Sequence, residues 1–235
     1  MTSVAIGPAR YAFWRSTRLG GITERLEHDL LLGLAGPLTE CRVLDIGCGD
    51  GALTGRLVAG GAVVTAIDSD PQMVAEAARV APTATVMVAE AERLPFAGGS
   101  FDVVVASTVF CLVSDRRAAL AEAARVLRPG GRLVLGELGR WSLWAARRRI
   151  KGMLGSRLWR HSRFSDARSL TAELAEAGLT VGVVRGAVFY PPVGWAARLM
   201  ARVDSCLGRY TTIGAAYLAV AATKPDQSGL SRDDN

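Results

Sequence analysis

One stretch near the start of the chain decides the predicted fold, Val43-Leu44-Asp45-Ile46-Gly47-Cys48-Gly49-Asp50-Gly51. An apolar run at 42–46 predicts a buried strand, and a helical pattern follows at 53–59. The three glycines between them favour a tight turn, because glycine tolerates positive φ and lets a ligand approach the backbone closely. The first N–H groups of the following helix point into the same space. The stretch therefore predicts a strand, a ligand-binding loop and a helix.

Further apolar runs follow, separated by helical patterns. Their apolar character is continuous rather than alternating, which is typical of parallel strands covered on both faces. The predicted strands are 42–46, 62–67, 84–88, 101–107 and 132–137, and the helices between them are 53–59, 71–80 and 115–127. Alternation at this spacing predicts right-handed crossovers and a doubly wound α/β sheet, in which ligands bind at the carboxyl ends of the strands.

The glycine loop alone leaves two kinds of nucleotide site open. Residues 47–52 also satisfy the dinucleotide pattern G-x-G-x-x-G/A, so an NAD-binding oxidoreductase is an alternative. Asp45 and Asp50 place acids where a pyrophosphate would be repelled and a cationic sulfonium tolerated. Asp68 closes the second strand, where a carboxylate can accept bonds from ribose hydroxyls. Charge therefore favours a sulfonium-bearing ligand over a dianionic one.

Five blocks in order resemble a known family. Residues 43–51 resemble motif I of class I S-adenosylmethionine-dependent methyltransferases, of the UbiE/type 11 group. The other blocks that are similar to the family's conserved segments are 66–73, 89–96, 100–104 and 125–131. The resemblance covers about residues 42–137 and implies S-adenosylmethionine as cofactor.

The resemblance also implies which residues bind that cofactor. Asp45 would orient the methionine amino group, and Asp68 the ribose hydroxyls. Glu90 stands where the family usually has aspartate, and it would accept from the adenine amino group. The full set of implied cofactor-binding residues is Asp45, Gly47, Cys48, Gly49, Asp68, Ser69, Met73, Glu90, Ala91 and Ser107.

Catalytic residues are not predicted, because methyl transfer mainly requires alignment and exclusion of water, and the donor motifs say nothing of the acceptor. A histidine pair that many relatives carry near Phe110 and Cys111 is absent. Cys111 is predicted to be a small buried thiol, and His161 a surface residue. The cysteines lack Cys-x-x-Cys spacing and are expected to be free thiols, with no metal site.

A basic segment follows the fifth strand. The chain carries a net charge of +6, and nine basic residues against one acid lie between Arg140 and Arg168. Residues 140–164 interleave these arginines with tryptophans, and Leu143, Ile150, Leu154 and Leu158 are spaced for one helical face. A cap over the acceptor pocket is the favoured interpretation. A membrane-surface contact and a nucleic-acid contact are the alternatives, and no nucleic-acid partner is expected.

The remaining patterns predict the domain organisation. Two further strands are predicted at 179–189 and 211–223. The resemblance implies that they complete a Rossmann-like sheet of seven strands, mostly parallel with the last one antiparallel. A single domain over 1–224 is predicted, with a helical cap at 1–40 that includes a helix at 22–34, a cofactor-binding core at 41–138, the basic cap at 139–164, and a C-terminal part at 165–224. That last part is expected to start with a helix at 165–177 and to contain an inserted apolar helix at 191–208 that forms another pocket wall. A disordered tail is predicted at 225–235.

The sequence thus predicts a cytoplasmic methyltransferase. It would act on a small, largely apolar acceptor at oxygen, carbon or nitrogen. One alternative is methylation of a quinone or lipid by an enzyme peripheral to the inner face of the membrane. The alternatives of another class are the oxidoreductase and a non-catalytic cofactor-binding module. The oligomeric state is not predicted.

Overall fold

The computed structural model describes residues 7–226, and residues 227–235 of the tail predicted at 225–235 lie outside them. The strands are β1 (Arg42–Ile46), β2 (Val63–Asp68), β3 (Thr85–Val88), β4 (Phe101–Ser107), β5 (Leu127–Leu138), β6 (Thr180–Ala187) and β7 (Tyr217–Thr223). The helices are α1 (Pro8–Ser16), α2 (Arg18–Ala35), α3 (Ala52–Ala59), α4 (Pro71–Val80), α5 (Arg116–Val126), α6 (Leu143–Met153), α7 (Arg157–His161), α8 (Ala167–Glu176) and α9 (Gly194–Tyr210).

The strands form one seven-stranded sheet in the order β3-β2-β1-β4-β5-β7-β6. Strands β1 to β5 pair in parallel. Strand β7 lies between β5 and β6 and runs antiparallel to both. This arrangement confirms the predicted fold class, a doubly wound sheet that is mostly parallel and whose last strand is antiparallel.

Helices cover both faces of the sheet, and the core lies between them. Helix α2 packs against β4, β5 and β7 on one face, while α5 and α8 pack on the other. Strands β1, β4 and β5 are buried on both faces, as their continuous apolar runs predict. Strand β3 is only half covered, because it is the edge strand and Val88 is exposed.

Several boundaries differ from the sequence predictions. Strand β5 starts at Leu127 rather than 132, because α5 ends at Val126 and Leu127 then pairs with Phe101 of β4. The last strand starts at Tyr217 rather than 211. The N-terminal region contains two helices where one was predicted at 22–34, and they meet at Thr17, whose hydroxyl accepts from Gly20 N–H and caps α2.

The apolar stripes predicted on α6 and α9 are largely exposed and are not packed into the core. The exposed fraction is 72% for Trp195 and 71% for Leu199, and Leu143, Ile150 and Leu154 of the α6 segment are also exposed. Helix α9 buries its small residues instead, and its Asp204 carboxylate accepts from the N–H groups of Val188 and Phe189. Small side chains let this helix approach the sheet closely, which turns its large apolar side chains outward. Within residues 7–226, no helix combines the length and the apolar character needed to cross a membrane.

Candidate functional site

The loop after β1 is held against the end of β2 by its backbone. The N–H groups of Gly47 and Cys48 both donate to Ile67 O, at 2.7 and 2.9 Å. Gly47, Gly49 and Gly51 have φ of +69°, +55° and +85°. A Cβ at Gly47 would overlap the Val109 side chain, whereas a Cβ at Gly49 would meet nothing within 4 Å. Gly49 is therefore the point of the loop where a ligand can approach the backbone.

The Asp68 carboxylate joins the loop to the end of β2. Its Oδ2 accepts from Gly49 N–H and its Oδ1 from Asp70 N–H, both at 2.9 Å. A carboxylate offers about four acceptor positions, so each oxygen can still accept a bond from a ligand hydroxyl. Ala89 N–H donates to Asp68 O at 3.1 Å, which places the turn after β3 beside this group.

Asp45 is a buried acid at the end of β1. It is 1% exposed, and its Oδ2 accepts one hydrogen bond, from the Thr54 hydroxyl at 2.7 Å. Burial raises the pKa of the carboxyl from 3.8 to about 7. A carboxylate in this setting gains much from a cationic partner, because its charge is poorly solvated.

The other residues implied for the cofactor lie at the ends of neighbouring strands. Cys48, Met73 and Ala91 are buried, while Ser69 and Glu90 are exposed. Burial raises the pKa of the Cys48 thiol, so it stays uncharged. Ser107 ends β4, and its hydroxyl lies 2.9 Å from the Tyr217 hydroxyl. The four strands β3, β2, β1 and β4 are consecutive in the sheet. The ten residues implied for the cofactor therefore lie around the carboxyl ends of these strands.

Helix α1 reaches this loop through an ion pair that the sequence analysis missed. Arg15 donates to both carboxylate oxygens of Asp50, at 3.0 and 2.5 Å, and Glu24 lies 3.4 Å from the same guanidinium. The prediction that Asp50 adds an uncompensated negative charge to the loop is wrong. Asp50 is buried and paired with a cation, so the charge preference of the loop rests on Asp45 and Asp68. The partners are 35 residues apart and carry no local signal.

We expect the variant Arg15→Met to destabilise the protein by roughly 1–3 kcal/mol, since it leaves the buried Asp50 without its cation. Thermal unfolding of the ligand-free protein measures the loss. The double variant Arg15→Met, Asp50→Asn should recover most of it, because the uncompensated charge is gone. Arg18→Met, an exposed neighbour, is the matched control and should change little. Equal losses in the single and double variants would contradict the assignment.

A second group of polar side chains lies beyond Ser107, at the carboxyl ends of β4 and β5. Glu137 is fully buried, and its Oε2 lies 3.1 Å from Arg116 Nη1. Arg116 Nε also donates to Glu173 at 2.5 Å. Burial raises the pKa of Glu137 to about 7 and that of Glu27, on α2, to about 8. Carboxyls in this range can exchange a proton near neutral pH. The sequence analysis missed them, because only the fold brings α2, α5 and α8 together here.

The remaining nucleophiles and bases behave as ordinary side chains. Cys111 is buried with its pKa raised by burial, as predicted for a packed thiol. His161 is exposed on α7, as predicted, and its Nδ1 lies 2.9 Å from Arg157 O. Burial lowers the pKa of His28 to about 4, so this ring is neutral. All four cysteines are free. In the part of the chain from residue 7 to 226, no three His, Cys, Asp or Glu side chains are grouped for a metal ion.

Known proteins are similar to this chain over its central part. Residues 44–135 match the family described as "Methyltransferase domain". A demethylmenaquinone methyltransferase of Beutenbergia cavernae is 41% identical over 114 residues, which are 48% of each chain. An uncharacterized methyltransferase of Mycobacterium tuberculosis is 41% identical over 99 residues, which are 42% of this chain and 40% of that protein. The chain thus spans half or less of the length of these curated relatives.

A solved structure extends the likeness to nearly the whole fold. An S-adenosylmethionine-dependent methyltransferase of Thermotoga maritima, described as a possible histamine N-methyltransferase, superposes with a TM-score of 0.70 at 23% identity. The match covers 92% of this chain and 95% of that one. At this identity the likeness establishes the fold alone.

Proposed function

We propose that this chain, whose residues 44–135 match the methyltransferase domain family, is an S-adenosylmethionine-dependent methyltransferase. The observation that carries the proposal is the pair of acids on either side of the glycine loop. Asp45 is buried with one hydrogen bond, and Asp68 accepts from the loop while keeping free acceptor positions. One acid suits a cationic amino group and the other a ribose.

The loop fits this cofactor better than a dinucleotide. Gly49 leaves open space beside its Cα, so a ligand can lie against the loop backbone. The acids of this site without a cationic partner are Asp68, which accepts from Gly49 N–H, and Asp45 at the end of β1, since Asp50 is paired with Arg15. An acid at this place disfavours a pyrophosphate and favours a zwitterion with a sulfonium. This argues against the NAD-binding alternative.

We assign the chain's residues to binding and orientation. When bound, S-adenosylmethionine supplies a methyl group whose bond to sulfur breaks as the bond to the acceptor forms. Asp45 orients the amino group, and Asp68 binds the ribose hydroxyls. Met73 and Ala91 pack beside the adenine, and Glu90 accepts from its amino group. The remaining residues of the donor site are Gly47, Cys48, Gly49, Ser69 and Ser107.

The acceptor would be a small, largely apolar molecule that meets the donor beside Ser107, beneath the basic cap at 139–164. Trp144 of α6 supports this placement, because it is buried and donates from Nε1 to Tyr190 O at 2.9 Å. The cap is therefore anchored to the segment that follows β6 and can exclude water from the transfer. Glu137, whose pKa is raised to about 7, is the acid near this end that could take a proton from the acceptor.

Calorimetric titration separates the proposed activity from its alternatives. We expect the protein to bind S-adenosylhomocysteine and not NADH. A labelled-methyl screen against a metabolite mixture then tests for transfer. Binding of NADH alone would replace the proposal with the oxidoreductase. Binding of S-adenosylhomocysteine with no labelled product across the screen would favour a non-catalytic cofactor-binding module.

The second candidate function is methylation of a quinone or lipid at a membrane surface. The favouring observation is the exposed face of α9 together with α6. Helix α9 exposes large apolar residues, Trp195, Leu199, Val203 and Tyr210, and basic ones, Arg198, Arg202 and Arg209. Its acid, Asp204, is buried, so the exposed face is purely cationic. Such a face suits an anionic lipid surface.

We expect the protein to float with vesicles of phosphatidylglycerol and phosphatidylcholine, and less so as salt rises. The double variant Trp195→Glu, Leu199→Glu should lower the bound fraction by roughly 10-fold or more, because it removes apolar area and adds repulsion. Val63→Glu, an exposed apolar position at the start of β2, is the control. Failure of the wild-type protein to float at low salt would exclude this second candidate.

A further inference from the structure

We propose that Arg148 binds a negatively charged oxygen of the acceptor, a carboxylate or a phenolate, beneath α6. The inference rests on the proposed function, and it narrows the acceptor to a largely apolar molecule with one acidic oxygen.

Arg148 is held rigidly by two aromatic rings. Its guanidinium carbon lies 5.2 Å from the centre of the Trp144 ring and 4.9 Å from that of Trp159. Trp144 is itself fixed through its bond to Tyr190 O. Trp159 comes from α7, which approaches α6 at Gly152, where a Cβ would lie 3.0 Å from the Trp159 backbone. The guanidinium is therefore pre-oriented before any ligand arrives.

The same guanidinium has an unused donor. Its Nη1 is buried and has no hydrogen-bond partner among the described residues. Across residues 7–226, no carboxylate oxygen lies within the 4.0 Å that defines an ion pair with Arg148. Arg15 and Arg116, by contrast, each have a carboxylate partner. A buried donor without an acceptor is costly, so it indicates a ligand.

The surroundings leave the charge of Arg148 available. Glu27 is the acid whose charge acts on Arg148 most strongly. Because burial raises its pKa to about 8, Glu27 is mostly protonated at neutral pH and does not neutralise the arginine. Arginine itself keeps its proton in proteins. Cys111 also lies within reach of the Arg148 charge, but burial raises the pKa of its thiol, so it is uncharged and does not neutralise the arginine.

The position of Arg148 places the bound oxygen at the acceptor end of the site. The segment that follows α7 is held to the residues after β4, because Arg163 N–H donates to Cys111 O at 3.0 Å. The charge of Arg148 also acts on the Cys111 thiol. Ser107, the last residue of β4, lies four positions before Cys111. A ligand oxygen held by Arg148 would thus lie over the carboxyl end of β4, next to the proposed donor. Indole rings beside the guanidinium would contact the apolar part of the same molecule.

Fluorine NMR titration tests the proposal on the full chain saturated with S-adenosylhomocysteine. The probes are 4-fluorobenzoate, pentafluorophenol, which is ionised at neutral pH, and the neutral 4-fluorobenzyl alcohol. We expect at least one anion to bind the wild-type protein roughly 10-fold or more tightly than the alcohol. Which of the two anions binds more tightly distinguishes a carboxylate from a phenolate acceptor.

Arg148→Met should abolish this preference for an anion, raising its dissociation constant by roughly 10-fold or more and leaving the alcohol unchanged. Arg149→Met, an exposed neighbour, is the matched control and should retain the preference. No anion preference in the wild-type protein, or its persistence in Arg148→Met, overturns the proposal. The wild-type comparison stands even if Arg148→Met fails to fold. Failure of S-adenosylhomocysteine itself to bind would contradict the proposed function instead.

Discussion

Replacing Asp68 with alanine should lower the affinity for S-adenosylhomocysteine by roughly 100-fold or more, because two hydrogen bonds from ribose hydroxyls to a carboxylate are lost. The variant also removes the acceptor of two backbone hydrogen bonds, because the N–H groups of Gly49 and Asp70 each donate to the Asp68 carboxylate at 2.9 Å. Calorimetric titration of the folded variant measures the loss.

A control and a second ligand separate ribose binding from loop anchoring. Asp70→Ala removes the cap of α4, where the side chain accepts from Gln72 N–H, and should cost stability while retaining the ligand. The 2′-deoxy analogue of S-adenosylhomocysteine should bind the wild-type protein more weakly than the parent compound. Asp68→Ala should bind both equally. If the variant still discriminates between them, another residue binds the ribose.

The core of the fold was predictable because its signals are local. The strand before Gly47, the glycine turn and the acid at the end of β2 lie within 27 residues, and each has a sequence pattern of its own. The side chains that close the site come from distant parts of the chain. Arg15 pairs with Asp50, which is 35 residues away in the sequence, and no periodic pattern predicts such a pair.

The error on α9 has a specific physical reason. A stripe of large apolar residues, with Trp195 and Leu199 at helical spacing, predicts a buried face. The structure buries the opposite stripe, which includes Ala197 and Gly208, because small residues allow close contact with α2 and β6. Periodicity predicts which residues share a face of a helix. Here the close contact of the α9 backbone with α2 and β6 determines which of those faces is buried. The exposed stripe then becomes the face proposed for the membrane.

Exchanging Asp45 for asparagine should stabilise the ligand-free protein at pH 8 and weaken ligand binding. Because the pKa of Asp45 rises from 3.8 to about 7 on folding, the folded state binds the proton more tightly than the unfolded chain. Stability therefore falls as pH rises from about 4 to about 7, by up to roughly 4 kcal/mol. Asparagine cannot ionise and can still accept from the Thr54 hydroxyl. We expect a gain of about 2–4 kcal/mol at pH 8 and little at pH 4 in chemical unfolding.

The same exchange should lower the affinity for S-adenosylhomocysteine by roughly 10-fold or more at pH 8, since the cationic amino group loses its carboxylate. In the wild-type protein the affinity should fall as pH drops below about 7 and Asp45 is protonated; in Asp45→Asn it should stay level. Thr54→Val is the control, because it removes the hydroxyl and leaves the charge, and it should destabilise the protein at pH 8. If Asp45 were only a structural residue, Asp45→Asn would lower the stability of the protein and leave its affinity for S-adenosylhomocysteine unchanged. We expect Asp45→Asn to gain stability and to lose affinity together, and this combination indicates that the buried carboxylate serves to bind the cationic amino group of the ligand.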